Sequence, residues 1–296
     1  MRRCILRLER LKTWFPGGDG VVIGLCSAVF CVFVFCTNAC RKETPEPAET
    51  TREKEVVGID PGEGNCPFGK PVLRGDDFDT RLIKREVFSL LHDNNRKVPL
   101  WVCQKVVREQ LGGDVKRSGL RFRRDPELSR EESASSRDYR KSGYDRGHMA
   151  PAGDYTRCRK RKGKTFYLSN IAPQKPGLNR GIWARLEAKA RRWVDRLGTV
   201  YIISGPIFKG ETVTIGPGKV AVPSHFYKIV AADKGGKWKA TGYVFENRTY
   251  RRPYEWESHV RTVERIEKKT GLNFMPELTR EMEEKLVRNK GAFWAL

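Results

Sequence analysis

The sequence predicts an α+β fold, and three observations carry that reading. Short segments rich in β-branched and aromatic residues recur along the chain. Helical periodicity is confined to a few stretches. The two kinds of segment alternate irregularly, without the steady βαβ rhythm of a parallel sheet. In chain order, EVFSLLH (86–92) and VPLWVCQKVV (98–107) flank Asp93-Asn94-Asn95 and read as a hairpin with a polar turn. TFYLSN (165–170), TVYIISG (199–205), SHFYKIVAA (224–232) and WKATGYVFE (238–246) are further strand candidates. From Asn179 to Leu197, the residues Trp183, Leu186, Ala190, Trp193, Val194 and Leu197 form one apolar stripe, with Gly198 as the stop. A second helix is expected near 255–270 and a third, highly charged one near 279–289.

Three segments organise the chain. Residues 1–40 combine a basic leader (Arg2, Arg3, Arg7, Arg10, Lys12) with an uncharged, largely apolar stretch whose core is VVIGLCSAVFCVFVFC (21–36). That run approaches the ~20 residues needed to cross a bilayer. It reads as a signal or membrane anchor that exports the rest of the chain, leaving it periplasmic, secreted or membrane-anchored. Cys40 after Thr-Asn-Ala resembles a lipoprotein cleavage site, although Thr37 stands where a Leu-like residue belongs. A mitochondrial presequence is the competing reading, because the leader is rich in arginine and poor in acids. Residues 41–60 are polar and Pro-containing, the composition of a disordered linker. Residues 61–296 are expected to form the folded domain.

Charge narrows the partners. The chain holds 58 Lys+Arg against 36 Asp+Glu, a formal net charge of +22. The excess persists once the leader is set aside, so it belongs to the body and favours polyanions, nucleic acid before anionic membrane. Of eight cysteines, only Cys66, Cys103 and Cys158 lie beyond the leader. Without a Cys-x-x-Cys pair they form no zinc-ligand pattern, and at most one internal disulfide fits.

Chemistry concentrates in two stretches. In SGYDRGHMAPAGDYTR (142–157), His148 is one of four histidines, and Gly147, Pro151 and Gly153 shape the backbone around it. A neutral imidazole there could activate water, and Arg146 could grip a phosphate oxygen with its planar fork. The same four residues, DRGH, could equally form a solvated basic loop. In the second stretch, Asn179 opens the amphipathic helix, where it could cap the helix or offer its carbonyl oxygen to a hard cation. Glu187 lies two helical turns on, bordering the same pocket or pairing with Arg191 at i,i+4.

Taken together, GYDRGHMAPAGD and YLSNIAPQKPGLNRGIWARLE resemble the DNA/RNA non-specific endonuclease family of the ββα-metal superfamily. The motifs stand in the family's order, and the Asn170–Asn179 and Asn179–Glu187 spacings match. SGPIF (204–208), VPSHFYKI (222–229) and TGLNFMPEL (270–278) also look like family segments. The resemblance covers roughly residues 66–280. It implies an α+β fold with a mixed antiparallel sheet core and a ββα-metal site, and hydrolysis of DNA and RNA to 5′-phosphate products. It implies His148 as general base and Asn179 as the side chain that holds Mg²⁺ or Mn²⁺. Glu187 would hold the cation's waters, Arg146 would contact the phosphate, and Asn170 would support the site. An upstream arginine is also expected; Arg121 is the choice, with Arg123 and Arg124 close by.

Further partners are expected from the basic run RCRKRKGK (157–164), in which six of eight residues are basic. As a loop beside the site, its Arg157, Arg159, Lys160, Arg161, Lys162 and Lys164 would bind nucleic-acid backbone without reading bases. RTVERIEKKT (261–270) reads as an ordinary charged helix face. A homodimer is compatible with the sequence, as is membrane contact through the N-terminal segment. The alternative function is a non-catalytic nucleic-acid binding or uptake protein on the same fold, which would have no need of His148, Asn179 and Glu187.

Overall fold

The computed structural model describes residues 64–75, 78–251 and 255–288. The chain divides into two units, 1–53 and 54–296, and every described residue belongs to the second. The leader, the linker and the start of the domain therefore lie outside the described residues.

The elements run from β1 (Val72–Leu73) through β2 (Thr80–Lys84), β3 (Ser89–Asp93), β4 (Val98–Val107) and β5 (Asp145–His148) to helix α1 (Arg159–Lys164). Then follow β6 (Ile171–Gln174), α2 (Ala184–Leu197), β7 (Thr199–Ile207), β8 (Thr214–Ile215), β9 (Val220–Ala221), β10 (His225–Asp233) and β11 (Trp238–Glu246). The chain closes with β12 (Val260–Arg261), α3 (Val263–Thr270), β13 (Leu272–Asn273) and α4 (Arg280–Glu283), whose turn continues to Arg288.

Seven strands form an antiparallel sheet in the order β12-β11-β10-β7-β4-β3-β2. The expected hairpin is present as β3–β4, and the strand candidates at 199, 224 and 238 become β7, β10 and β11. The expected α+β class with an antiparallel sheet core is what the chain adopts. Alternation along the strands sorts side chains into two cores. Val102, Ile202, Phe226 and Val230 meet Leu186, Trp193 and Val194 of α2 on one face. Cys103, Ile203, Tyr227 and Ile229 meet Val263 and Ile266 of α3 and Leu286 on the other. Strands β7 and β4 approach closely at Gly205, where a Cβ would lie 2.3 Å from the Leu100 carbonyl and 2.5 Å from the Tyr227 hydroxyl. Beside this sheet, β5 and β6 pair antiparallel as a separate ribbon, with Asp145 opposite Gln174 and His148 opposite Ile171.

Several expected elements differ, each for a local reason. TFYLSN is not a strand. The Thr165 hydroxyl and amide turn back to the Lys162 carbonyl, Leu168–Asn170 form a 3-10 turn, and the strand begins only at Ile171. RCRKRKGK is not a loop: Arg159–Lys164 form a short helix, closed by the Lys162 amide on the Cys158 carbonyl. The helix expected from Asn179 begins at Ala184. Residues Leu178–Trp183 are an irregular turn broken at Gly181, whose ψ of −116° is not helical. Gly198, at φ 82°, ends α2 as expected. Near 255–270, a 3-10 turn at Trp256–His259 and the edge strand β12 precede α3, because the Thr262 hydroxyl caps the Arg265 amide and starts the helix there. The thiols of Cys66, Cys103 and Cys158 are free, and burial together with contact from Cys66 pushes the Cys103 thiol well above its ordinary pKa.

Candidate active site

The β5–β6 ribbon and the turn leading into α2 bring the two motifs together. On β5, Gly147 is required by close approach, since a Cβ there would lie 2.1 Å from the Gln174 side chain. His148 is partly exposed as a residue, but its Nε2 is sealed and has no hydrogen-bond partner. Phe122 and Phe166 flank the imidazole at centroid distances of 5.3 and 5.4 Å. Burial, and then the Arg117 guanidinium nearby, push the imidazole pKa down to about 3. A neutral ring at physiological pH is the form that can accept a proton. Arg146 lies over the Phe122 ring at 4.8 Å, and Arg117 over both Phe122 (5.7 Å) and Phe166 (5.4 Å). Two guanidinium groups thus gather on the aromatic cradle of the histidine.

Two side chains of the turn leading into α2 tie it to the ribbon. Trp183 donates its Nε1–H to the His148 carbonyl at 3.3 Å. Asn179 donates its Nδ2 to Asp145 Oδ2 at 2.9 Å, so the amide is spent inward and the carbonyl oxygen keeps its acceptor sites for another ligand. Asn179 is therefore not a helix cap; α2 has no side-chain cap. Partial burial pushes the Asp145 carboxyl up, but the Arg180 and Asn179 bonds outweigh it and hold it below the ordinary range. Arg180 grips Asp145 bidentately at 2.8 and 2.6 Å.

Glu187 sits over a polar floor inside the core. The floor is built from β4, β7 and β10 and from the turn after β5. Lys228, fully buried, donates to the Ser204 hydroxyl at 2.7 Å and stands 4.3 Å from the centre of the Trp183 ring. Asp154, also buried, accepts from Arg191 at 3.0 Å and from Gln104 at 2.9 Å. Burial raises the Glu187 carboxyl, while Lys228 pulls it back toward the charged form. Burial likewise lowers the Lys228 ammonium, opposed by Glu187 and Asp154. Each charge is tolerable there because its opposite is close. Arg191, the expected helix partner of Glu187, bonds Asp154 instead and reaches Glu187 through its field.

The remaining expected residues divide. Asn170 is fully buried and its carboxamide is consumed: Oδ1 accepts from the Ala150 amide at 2.9 Å, and Nδ2 donates to the Ala150 and Thr165 carbonyls. It pins the backbone two residues past His148 and so acts as a positioning residue. Arg121 is exposed, whereas the neighbouring Phe122 faces the imidazole. The arginine whose charge reaches His148 is Arg117. In the basic run, Lys162 is buried with its ammonium on the Val115 carbonyl, Arg161 and Lys164 pair with Glu86, Arg157 bonds the Leu111 carbonyl and Arg159 the Ser118 carbonyl. Lys160 is the exposed cation of that run with no such partner among the described residues.

Sequence reasoning missed Asp145, Arg117, Asp154, Gln104 and Lys228. Asp145 was in plain view as the first letter of DRGH. Lys228 also left a signal, because it interrupts the inward-facing row Phe226, Val230, Ala232 at period 2. Arg117, in a polar turn, left none.

The donor set suits a hard divalent cation kept largely in water. It offers an oriented carboxamide oxygen and a nearby carboxylate, without thiolates or clustered imidazoles. Among the described residues, no three His, Cys, Asp or Glu side chains cluster to enclose a metal.

The chain as a whole is similar to known nucleases. Residues 71–281 match the family of DNA/RNA non-specific endonucleases. The chain is 35% identical over 209 residues to human mitochondrial endonuclease G, covering 67% of this chain and 70% of that protein. It is 32% identical over 224 residues to nuclease C1 of Cunninghamella echinulata var. echinulata, covering 71% and 87%. A chain in the crystal structure of the EndoG/EndoGI complex superposes with a TM-score of 0.67 at 32% identity, covering 71% of this chain and 92% of that one. With the two motifs assembled on one ribbon and turn, and the match running through nearly the whole described fold, the chain belongs to the DNA/RNA non-specific endonuclease family and is a nuclease.

Proposed function

We propose that the chain cleaves phosphodiester bonds of DNA and RNA endonucleolytically, leaving 5′-phosphate and 3′-hydroxyl ends. The observation that carries the proposal is the stitch between β5 and the turn leading into α2: Asp145 holds Asn179 and Trp183 holds the His148 backbone, which supports reading His148 and Asn179 as base and cation ligand of one site. His148, kept neutral by burial and by Arg117, takes the proton of the attacking water. Arg146, steadied on Phe122, holds a phosphate oxygen and stabilises the charge that grows there. Asn179 and Glu187 would hold the divalent cation, Mg²⁺ or Mn²⁺, with Asn179 binding it and Glu187 ordering its waters. When bound, that cation would add charge stabilisation at the phosphoryl oxygens. Of the basic run, Lys160 is exposed without an intramolecular partner among the described residues and is the group assigned to meet the backbone of a bound strand.

The wider organisation proposed is a leader (1–40), a linker (41–60) and the nuclease domain (61–296). The relatives named mitochondrial favour a mitochondrial presequence over an export signal for that leader. No helix among the described residues is long and apolar enough to cross a membrane, and the apolar run lies outside them. A homodimer is the proposed assembly.

The test is cleavage of plasmid and RNA by the full chain, with Mg²⁺ and with a chelator. His148→Ala is expected to lose about 10²- to 10⁴-fold in rate, the usual worth of a positioned base. Cleavage that ignores the chelator, or survives His148→Ala undiminished, would sink the proposal.

A further inference from the structure

A second cluster of cations stands away from His148, on the stretch RTVERIEKKT that reads as a plain helix face. Arg261, Arg265 and Lys269 follow at four-residue intervals, the first on the edge strand β12 and the others one turn apart on α3. They line a cavity of about 230 Å³ together with His225, Arg248 and His259 from the adjoining strand ends and loop. A water occupies ~30 Å³, so the cavity admits a tetrahedral anion with part of its hydration.

The charges there are unbalanced. Glu246 is the one carboxylate of the lining, and Arg248 already takes it at 2.6 Å. Arg261 is fixed by its Nη1 bonds to the Ser258 and Val260 carbonyls, which leave its positive charge uncompensated. Arg265 and Lys269 are exposed and make no ion pair among the described residues. Gathering cations around a concave polar wall without counter-charge raises the local potential and draws in an anion.

The cavity also adjoins the catalytic wall. Asn247, one residue past β11, accepts from the Lys175 amide at 2.8 Å and donates to the Pro173 carbonyl at 3.0 Å, which fastens this loop to the end of β6. The Phe245 ring lies between His259 (4.9 Å) and Trp183 (6.2 Å), and Trp183 holds the His148 carbonyl.

We propose that the cavity bounded by Arg261, Arg265 and Lys269 is a phosphate-group site separate from the catalytic one. The guanidinium forks and the ammonium match a tetrahedral oxyanion. Its phosphate comes either from the backbone of a nucleic acid held at His148, which rests on the nuclease reading, or from free phosphate.

The four histidines make the test specific, because His225 and His259 line the cavity while His92 and His148 do not. Ring signals of the full-length chain, assigned by single His→Gln variants, are followed by NMR in chelator as inorganic phosphate is added. Saturable shifts of His225 and His259 are expected, with affinity about tenfold weaker in R265A/K269A, whose exposed positions leave the fold intact. Signals that stay still, that move equally in the double variant, or that move at His148 alone would overturn the site. A parallel titration with an oligonucleotide, checked intact by gel, identifies the source. Weaker binding with a shallower salt slope in R265A/K269A assigns strand phosphates. Unchanged oligonucleotide binding with the phosphate response retained assigns free phosphate. Loss of the cleavage activity predicted above leaves these readouts unaffected, so the two proposals fail separately.

Discussion

Asp145 decides which end of the Asn179 carboxamide is free. By taking the Nδ2–H it leaves the carbonyl oxygen as the unspent end, the end that the proposed cation role requires. Asp145→Ala is expected to weaken the apparent affinity for the activating metal about 10- to 100-fold, the usual cost of losing an orienting partner. The rate at saturating metal should fall much less; a metal titration of cleavage that shows the reverse split would falsify this role. His148 makes a second prediction at the same scale. Its pKa is depressed, so the basic form persists as pH falls below the ordinary histidine value of about 6.5. The acid limb of kcat/KM attributable to this ring should lie well below that value, and Arg117→Ala should move it upward. A wild-type limb at pH 6.5 that does not respond to Arg117→Ala would contradict the assignment.

At the scale of elements, β4, β7 and β10 present Gln104, Ser204 and Lys228 beneath α2 and thereby make a charged interior habitable. Lys228 is fully buried, and removing it leaves Glu187 and Asp154 with Arg191 as the nearby cation. Lys228→Met is expected to cost about 3–5 kcal/mol, because it breaks a buried charge arrangement from one side. Adding Glu187→Gln should recover part of that loss, since the second change removes the charge left uncompensated. Denaturant unfolding of the four members of this cycle measures the coupling, and simple additivity would show that the two residues act independently. A regular helix from Asn179 is what periodicity implies, but the backbone breaks at Gly181, whose ψ of −116° is not helical, and the α-helix begins at Ala184 instead.

For the whole molecule, the charge of +22 sets how strongly it holds nucleic acid and how steeply salt weakens that hold. In chelator, affinity for duplex DNA should fall by about 10³-fold or more between 50 and 200 mM salt, as for proteins making several phosphate contacts. Fluorescence anisotropy measures this, and a nearly flat salt dependence would assign most of the basic residues to intramolecular pairing. Pairing does absorb part of the excess, since Arg161 and Lys164 share Glu86, and Lys162 of α1 is buried with its ammonium on the Val115 carbonyl.

The α+β class, the β3–β4 hairpin, strands β7, β10 and β11, and the stop at Gly198 were legible because each depends on residues near one another in the chain. The two motifs were legible as well, and the fold brings them together where the Trp183 indole N–H meets the His148 carbonyl and the Asn179 carboxamide meets Asp145. The TFYLSN strand was misread because β-propensity is weak beside a hydroxyl and amide that close a turn on Lys162. What only the tertiary structure decided is the setting of those groups. Arg117 beside the imidazole, Asp154 and Gln104 under the helix, Lys228 against Trp183 and the cavity at α3 join residues tens of positions apart. The physical reason is that propensity and periodicity act over a few residues, whereas desolvation and charge pairing act through space, between side chains that only the folded sheet brings together.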